Sequence, residues 1–388
     1  MSTLLLLILF RLNSSVDALN RIFDLLIMLS FIVVFFFGKG EVKARHAAYL
    51  FLVFTVMFAS FYTGLIEGRS LVSRDLFEFF RPILYFFVFS VFYSNEPTPQ
   101  SKLNKILILY LCIQASFIIL QIIFPGLMKS SVVSILYSAE KVSGGLGRVT
   151  GLSGNPNTLA ICLSLVYFYF VSLYVKKRNH IMISVIALLH LMMLVATTSR
   201  GVTLIVLMLY ALVVLFYYPI IYKAIVVGLA FSISGFILYY LTSNPYFNQL
   251  IQHIISGDIQ AIPSVYKRME HFQLLIDIMQ ENYLFSMGAN KSLANVGDNV
   301  YIFWFSQWGA VGLLFHFIFV IWLFSLHFIH RNIYSFTLLL GTVLLIISGV
   351  VYDTFYNIIY MPILLFFAAA SYQKFERTFN IPNTVSQK

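Results

Sequence analysis

Leu191-Met-Met-Leu-Val-Ala-Thr-Thr-Ser-Arg-Gly-Val-Thr-Leu204 decides how this chain folds. Apolar sequence runs away from Arg200 in both directions, back through Ile181 and forward through Leu204-Ile-Val-Leu-Met-Leu209. Each flank has the length needed to cross ~30 Å of hydrocarbon, which takes about 20 helical residues. The stretch therefore reads as two spans joined by a short polar corner that carries a permanent cation. A guanidinium keeps its charge in a protein. At mid-bilayer that charge costs at least ~2.5–3.5 kcal/mol on insertion scales. At a corner between spans the cost falls, either by snorkelling or by meeting an anion.

The rest of the chain has the same character. Of its 388 residues, 60% are hydrophobic and 10% charged, where soluble domains carry about 25% charged residues. This makes it an all-α polytopic membrane protein. A transmembrane barrel would show alternating segments of ~10 residues, and Phe31-Ile-Val-Val-Phe-Phe-Phe37 does not alternate. Met1 to Phe10 shows neither a basic start nor a small-residue cleavage site, so no cleavable signal peptide is expected. Cys112 and Cys162 both fall inside predicted spans, which argues against a disulfide framework or a metal cluster.

Spans are predicted at 22–38, 47–66, 76–93, 104–124, 157–175, 181–198, 201–218, 222–242, 300–325, 335–351 and 355–372. Residues 2–12 are apolar but short. The expectation is a single integral membrane domain over 1–388, a bundle of about 11–12 transmembrane helices. If the spans alternate, Lys39, Lys43, Arg45, Lys102, Lys105, Lys176, Lys177, Arg178 and Arg331 share one side with a tail at 373–388. Short basic loops mark the cytoplasmic side. The outer side then holds loops at about 125–156 and 243–299. It also holds Arg69, Arg74, Lys129, Lys141, Arg148, Arg200, Lys267, Arg268 and Lys291. That many outer cations runs against the usual bias. Long loops escape the rule, but the arginines taken together point to an anionic ligand. Nucleic acid is not an expected partner for cations scattered among spans.

Four constellations stand out. In the loop at 243–299, Phe272, Leu275, Ile276 and Met279 repeat with helical spacing, so an amphipathic interfacial helix is expected after Ser264. Lys267 and Arg268 lie in its first turns, where cations oppose the helix dipole. Their presence is thus explained by snorkelling or by a ligand, not by helix stability. Asp298, followed by Asn299 and Tyr301, sits at the mouth of a span. It reads either as a helix cap or as a general base bordering solvent.

Gly144-Gly-Leu-Gly-Arg148 leads into Gly151-Leu-Ser-Gly-Asn155-Pro-Asn157, a turn and cap in which Arg148 offers a cation. It lacks the Lys-Ser/Thr ending of a phosphate loop. Finally, Arg74 and Arg81 are spaced to pair with Glu78 on one helix face. No His-Glu-x-x-His pair and no Gly-x-Ser-x-Gly elbow is present.

Arg200-Gly-Val-Thr-Leu204 resembles the Arg-x3-Leu motif of the O-antigen ligase and O-antigen polymerase superfamily. Gly151…Asn155-Pro-Asn157 resembles that family's Gly-x-x-x-Asn-Pro-Asn segment. Arg268 with Asn282-Tyr-Leu-Phe-Ser-Met-Gly288 is similar to its outer loop, and Asp298-Asn299-x-Tyr301 followed by Gly309 to the start of its next span. The likeness covers about 145 to 325 in order. Ligases carry His where Asp298 stands, so the likeness leans toward the polymerases.

The resemblance implies a glycosyltransferase of the bacterial inner membrane, active on the periplasmic face. Its substrate would be an undecaprenyl-pyrophosphate-linked oligosaccharide, its surroundings membrane lipids and its expected partner a chain-length regulator. Arg200 and Arg268 would stabilise the departing pyrophosphate, since guanidinium matches phosphate oxygens in pairs, and Asp298 would be the base. Arg148, Arg74, Asn155, Asn299 and Tyr301 would hold substrate. No metal and no cofactor is implied. A ligase-type transferase and a lipid-linked oligosaccharide flippase are the alternatives.

Overall fold

The computed structural model describes residues 2–11, 17–37, 44–66, 73–124, 149–220, 299–350 and 359–379, with isolated residues between 223 and 286. The described part is helical, with no strand. The helices are α1 (Ser2–Leu9), α2 (Asp17–Phe37), α3 (Ala44–Ile66), α4 (Ser73–Ser94) and α5 (Gln100–Ile123). After a short 3-10 turn (Gly151–Ser153) come α6 (Pro156–Lys176), α7 (His180–Thr197) and α8 (Arg200–Tyr217). They are followed by α9 (Val300–His330), α10 (Ile333–Ser348) and α11 (Tyr360–Phe379). The chain is an all-α polytopic membrane protein. Gln100–Ile123, Pro156–Lys176, His180–Thr197 and Trp304–His330 are long and apolar enough to cross a bilayer, with shorter apolar helices beside them.

The span expected at 222–242 and the loop at 125–148 lie outside the described residues. So does the apolar face of the loop helix, at Phe272, Leu275 and Met279. In that loop Tyr266, Met269, Glu270, Gln273, Ile276, Asp277 and Gln280 are helical and exposed. Gln273 Nε2 donates to Asp277 Oδ1 one turn on, at 2.9 Å. The last helix runs to Phe379, so the tail expected at 373–388 begins as helix.

Burial divides the helices by role. Every residue of α6 from Thr158 to Leu173 is buried, as is every residue from 359 to 371 at the start of α11. A helix apolar all round belongs inside a bundle. α10 packs against both, and α7 and α4 complete the two flanks. Peripheral helices expose apolar side chains such as Phe51, Ile119, Met192, Leu204, Phe216 and Ile321, the surface that faces lipid.

Between helices, close approach and polar ties replace the hydrophobic effect, which gives little drive inside lipid. A Cβ on Gly341 would lie 2.7 Å from Leu165 Cδ1 and 2.8 Å from Leu364 Cδ1, so this glycine is what lets α6, α10 and α11 meet. Tyr360 OH donates to Gly341 O at 2.6 Å, and Thr337 Oγ1 donates to Ser172 Oγ at 3.0 Å. Midway along α7, fully buried His190 joins Ser164 and Tyr210. The Ser164 hydroxyl proton is already given to Ala160 O. Ser164 must therefore accept from His190 Nε2, which leaves Nδ1 to accept from Tyr210 OH at 2.7 Å.

The connections sort into two ends. At one, Gln373 Nε2 donates to the carbonyls of Phe92, Tyr93 and Asn95, and His330 and Asn332 both reach Ser371. Tyr218 OH donates to His180 O there. Lys176, Lys177, Arg178 and Arg331 belong to this basic end. The opposite end carries the start of α6, the α7–α8 corner and the start of α9.

Candidate functional site

Two assemblies occupy the opposite end. The first is the turn at 149–157. Gly151 (φ 49) and Gly154 (φ 64) take the left-handed backbone that a tight reversal needs. The turn's N–H groups would otherwise be buried without partners, and α5 supplies them. Gln121 Oε1 accepts from Thr150 N at 2.9 Å and Gly151 N at 3.1 Å, while Gln114 Oε1 accepts from Leu152 N at 3.0 Å. A side chain at Gly151 would collide with Gln114 Oε1, 2.3 Å from its Cβ. Asn155 then caps α6, its side chain accepting from Asn157 N at 2.9 Å and Thr158 N at 3.4 Å.

The turn is fastened to the Arg200 corner. Val149 N donates to Ala196 O at 3.3 Å. Ser199 Oγ donates to Asn157 Oδ1 at 2.8 Å, joining the first turn of α6 to the residue that precedes Arg200. Thr197 Oγ1 accepts from Ser199 N, and Thr198 takes the left-handed conformation (φ 51) that reverses the chain. Arg200 is thus the first residue of α8, held at a helix start beside a second helix start. A helix N-terminus carries roughly +0.5 of an elementary charge. At α6 the N–H groups of Asn157 and Thr158 go to the Asn155 side chain, whereas α8 starts without a side-chain cap, so the start of α8 is the positive end of the corner.

The second assembly is α9, which breaks the single straight span expected at 300–325. Gly309 has φ 64 and ψ −169, a backbone open essentially to glycine only. Along a straight helix, residues 301 and 317 would lie roughly 24 Å apart. Instead Tyr301 stacks on Phe317 with centroids 5.9 Å apart, and Trp304 on His316 at 3.9 Å. The limb 300–308 therefore folds back toward the limb 310–330. The longer limb rises roughly 31 Å, about one hydrocarbon thickness.

The bend frees N–H groups at the start of the longer limb, and residues 283–286 satisfy them. Ala310 N donates to Tyr283 O at 2.8 Å and Val311 N to Leu284 O at 3.4 Å. Ser286 Oγ donates to Ser306 O, and Thr63 Oγ1 of α3 reaches Ser286 O at 3.3 Å. α10 links the two assemblies: its body packs on α6, and Gly349 O at its end accepts from Val300 N at 2.8 Å.

The structure places the sequence-predicted residues as follows. Asn299, not Asp298, is the cap of α9, with its side chain accepting from Tyr301 N at 3.0 Å and Ile302 N at 3.1 Å. Tyr301 OH donates to Ile346 O at 2.5 Å, so Asn155, Asn299 and Tyr301 all have structural partners. Arg200 and Arg74 are placed by backbone, in α8 and α4, and their side chains lie outside the described residues. Arg148, Arg268 and Asp298 lie outside them altogether.

Sequence reading missed Gln114 and Gln121, whose seven-residue spacing on one helix face was the available signal. It also missed Gln307, which is fully buried with neither amide atom hydrogen-bonded among the described residues. No family model and no curated protein matches the chain.

Proposed function

We propose that this chain is a repeat-unit polysaccharide (O-antigen) polymerase. On this reading it is a membrane glycosyltransferase of the bacterial inner membrane, with the Arg200 end facing the periplasm and the basic end the cytoplasm. It moves a growing glycan from undecaprenyl pyrophosphate onto the next lipid-linked repeat unit. A hydroxyl of that unit attacks the anomeric carbon, the bond to the pyrophosphate oxygen breaks, and the hydroxyl proton passes to a base.

The observation that carries this reading is the Ser199–Asn157 bond. It joins two helix starts that bear the motif residues Asn155, Asn157 and Arg200. The uncapped start of α8 offers a site for phosphate oxygens, and the charge that develops on the leaving pyrophosphate is what such a site stabilises. Arg200 and Arg268 are assigned to that charge, with Arg148 and Arg74 as further cations. Asp298 is assigned as the base, and the capping of α9 by Asn299 supports this by sparing Asp298 that task.

A ligase-type transferase would use the same leaving group with another acceptor, and Asp298 in the place of the ligase histidine speaks for the polymerase. A flippase needs polar groups through the membrane's depth. The mid-span polar groups of α6, α7 and α8 bond to one another instead.

Complementation of a polymerase-deficient strain carrying the matching repeat-unit genes tests the reading. The wild-type chain should restore a polysaccharide ladder. A strain that shows only single capped units with the wild-type chain would exclude polymerisation, and ladder restoration by Asp298→Asn would exclude Asp298 as base.

A further inference from the structure

Four glutamines are buried among the described residues: Gln114, Gln121, Gln307 and Gln373. Three are engaged. Gln114 and Gln121 hold the 149–157 turn, and Gln373 gathers the carbonyls that end α4. Gln307 is 0% exposed, and neither its Oε1 nor its Nε2 has a partner among the described residues. Leaving both atoms of a buried amide unpaired is costly, and such a group calls for an explanation. Its neighbours along the chain are bonded: Ser306 O accepts from Ser286 Oγ, and Ala310 and Val311 donate to the 283–286 turn.

We propose that Gln307 is a specificity contact for the glycan, taking a hydroxyl or acetamido group of a sugar between its carbonyl and its amide. This rests on the glycan-transfer reading. The ligand class follows from the amide's chemistry. Its oxygen accepts and its nitrogen donates, and sugar hydroxyls and N-acetyl groups answer both. A pyrophosphate offers acceptors only and would leave Oε1 unanswered, so Gln307 belongs to the sugar and the arginines to the carrier.

Position agrees with this. Gln307 lies on the limb that opens with Asn299 and Tyr301, directly after Asp298. It shares a helix face with Val300 and Trp304. Trp304 and Trp308 on the same limb are both buried, with Trp304 stacked on His316. A site built around a hydrogen bond to a substrate hydroxyl rejects analogues that lack it far more strongly than an apolar pocket rejects size.

The test compares the full-length wild-type chain with Gln307→Met, which keeps shape and removes both hydrogen-bonding atoms. Both are reconstituted in nanodiscs and heated alone and with free hexoses, 6-deoxyhexoses and N-acetylhexosamines at millimolar concentration. The proposal expects the variant to melt higher than wild type by roughly 1–3 °C, because an unpartnered amide is gone. It expects at least one sugar to raise the wild-type midpoint and none to raise the variant's. In cells the variant should give a shortened or absent ladder.

A lower midpoint would show that the amide already has a partner and would overturn the proposal. So would a wild-type chain that answers to none of the sugars, or a variant with an unchanged ladder. If wild type makes no ladder yet shows a sugar shift that Gln307→Met abolishes, the polymerase reading falls and the sugar contact stands.

Discussion

The starts of α6 and α9 share one cap and differ in everything that follows. Asn155 and Asn299 both sit in extended backbone, at φ −135 and φ −140, and each accepts from the N–H groups two and three residues on. From there α6 runs unbroken for 21 residues, while α9 bends sharply at Gly309. The turn before α6 is satisfied by side chains, Gln114 and Gln121, reaching from a neighbouring span. The bend in α9 is satisfied by the backbone of residues 283–286. The first region leaves a shelf that holds Asn157 and the backbone of Arg200. The second holds a glycine in a backbone region closed to other residues and, among the described residues, an unanswered amide, Gln307. Deviations from local rules concentrate where function needs them; on the proposed reading the shelf holds phosphate and the bend reads sugar.

The contrast breaks most severely at Gly309. Gly309→Ala would put a Cβ 2.0 Å from Leu284 O in a backbone region that costs about 1–3 kcal/mol for any other residue. Thermal unfolding in nanodiscs should show a midpoint drop of several degrees, with loss of the ladder. A variant that melts and polymerises like wild type would mean the bend is not needed.

Next comes the shelf. Gln121→Leu strands the N–H groups of Thr150 and Gly151, each worth about 1–3 kcal/mol when buried and unpaired. Denaturation should report a loss of about 2–6 kcal/mol, and Gln121→Glu, which keeps the accepting oxygen, should recover part of it.

The caps sharpen the comparison. Asn155→Ala and Asn299→Ala should each cost about 1 kcal/mol, and by similar amounts, since their geometry matches. A much larger loss of activity at Asn299 than its stability loss explains would assign it a second task beside Asp298. The smallest effect belongs to the tie across the shelf. A double-mutant cycle on Ser199→Ala and Asn157→Ala should return a coupling near 0.6 kcal/mol, the average for hydrogen bonds within membranes. A coupling of zero would detach the Arg200 corner from α6.

Much of this fold was legible in the sequence, because hydropathy reports spans directly. The stretch around Arg200 was read as two helices with a corner, and α7 and α8 meet at Thr198 and Ser199. What hydropathy did not carry is which apolar helix faces lipid. α6 and α7 look alike as strings, yet α6 is buried from Thr158 to Leu173 and α7 exposes Met192 and Val195. Lipid and protein interior are equally apolar, so composition cannot separate them.

The site was legible in parts. Asn155 and the Gly151 turn were visible as a cap and a tight reversal. The choice of Asn299 over Asp298 as the cap of α9 was not, since both residue types cap well. The fold-back at Gly309 depends on residues 283–286, whose pairing with Ala310 and Val311 no local pattern announces. Gln307 was invisible, because an unpaired amide is a property of its surroundings.

The central claim is that the α7–α8 corner holds Arg200 against a departing pyrophosphate. The most direct measurement is the polysaccharide ladder of a polymerase-deficient strain expressing wild type, Arg200→Lys or Arg200→Ala at matched membrane levels. The account predicts a full ladder for wild type, a weakened one for Arg200→Lys, because an ammonium lacks the paired donors of a guanidinium, and single repeat units for Arg200→Ala. Long chains persisting with Arg200→Ala would contradict it.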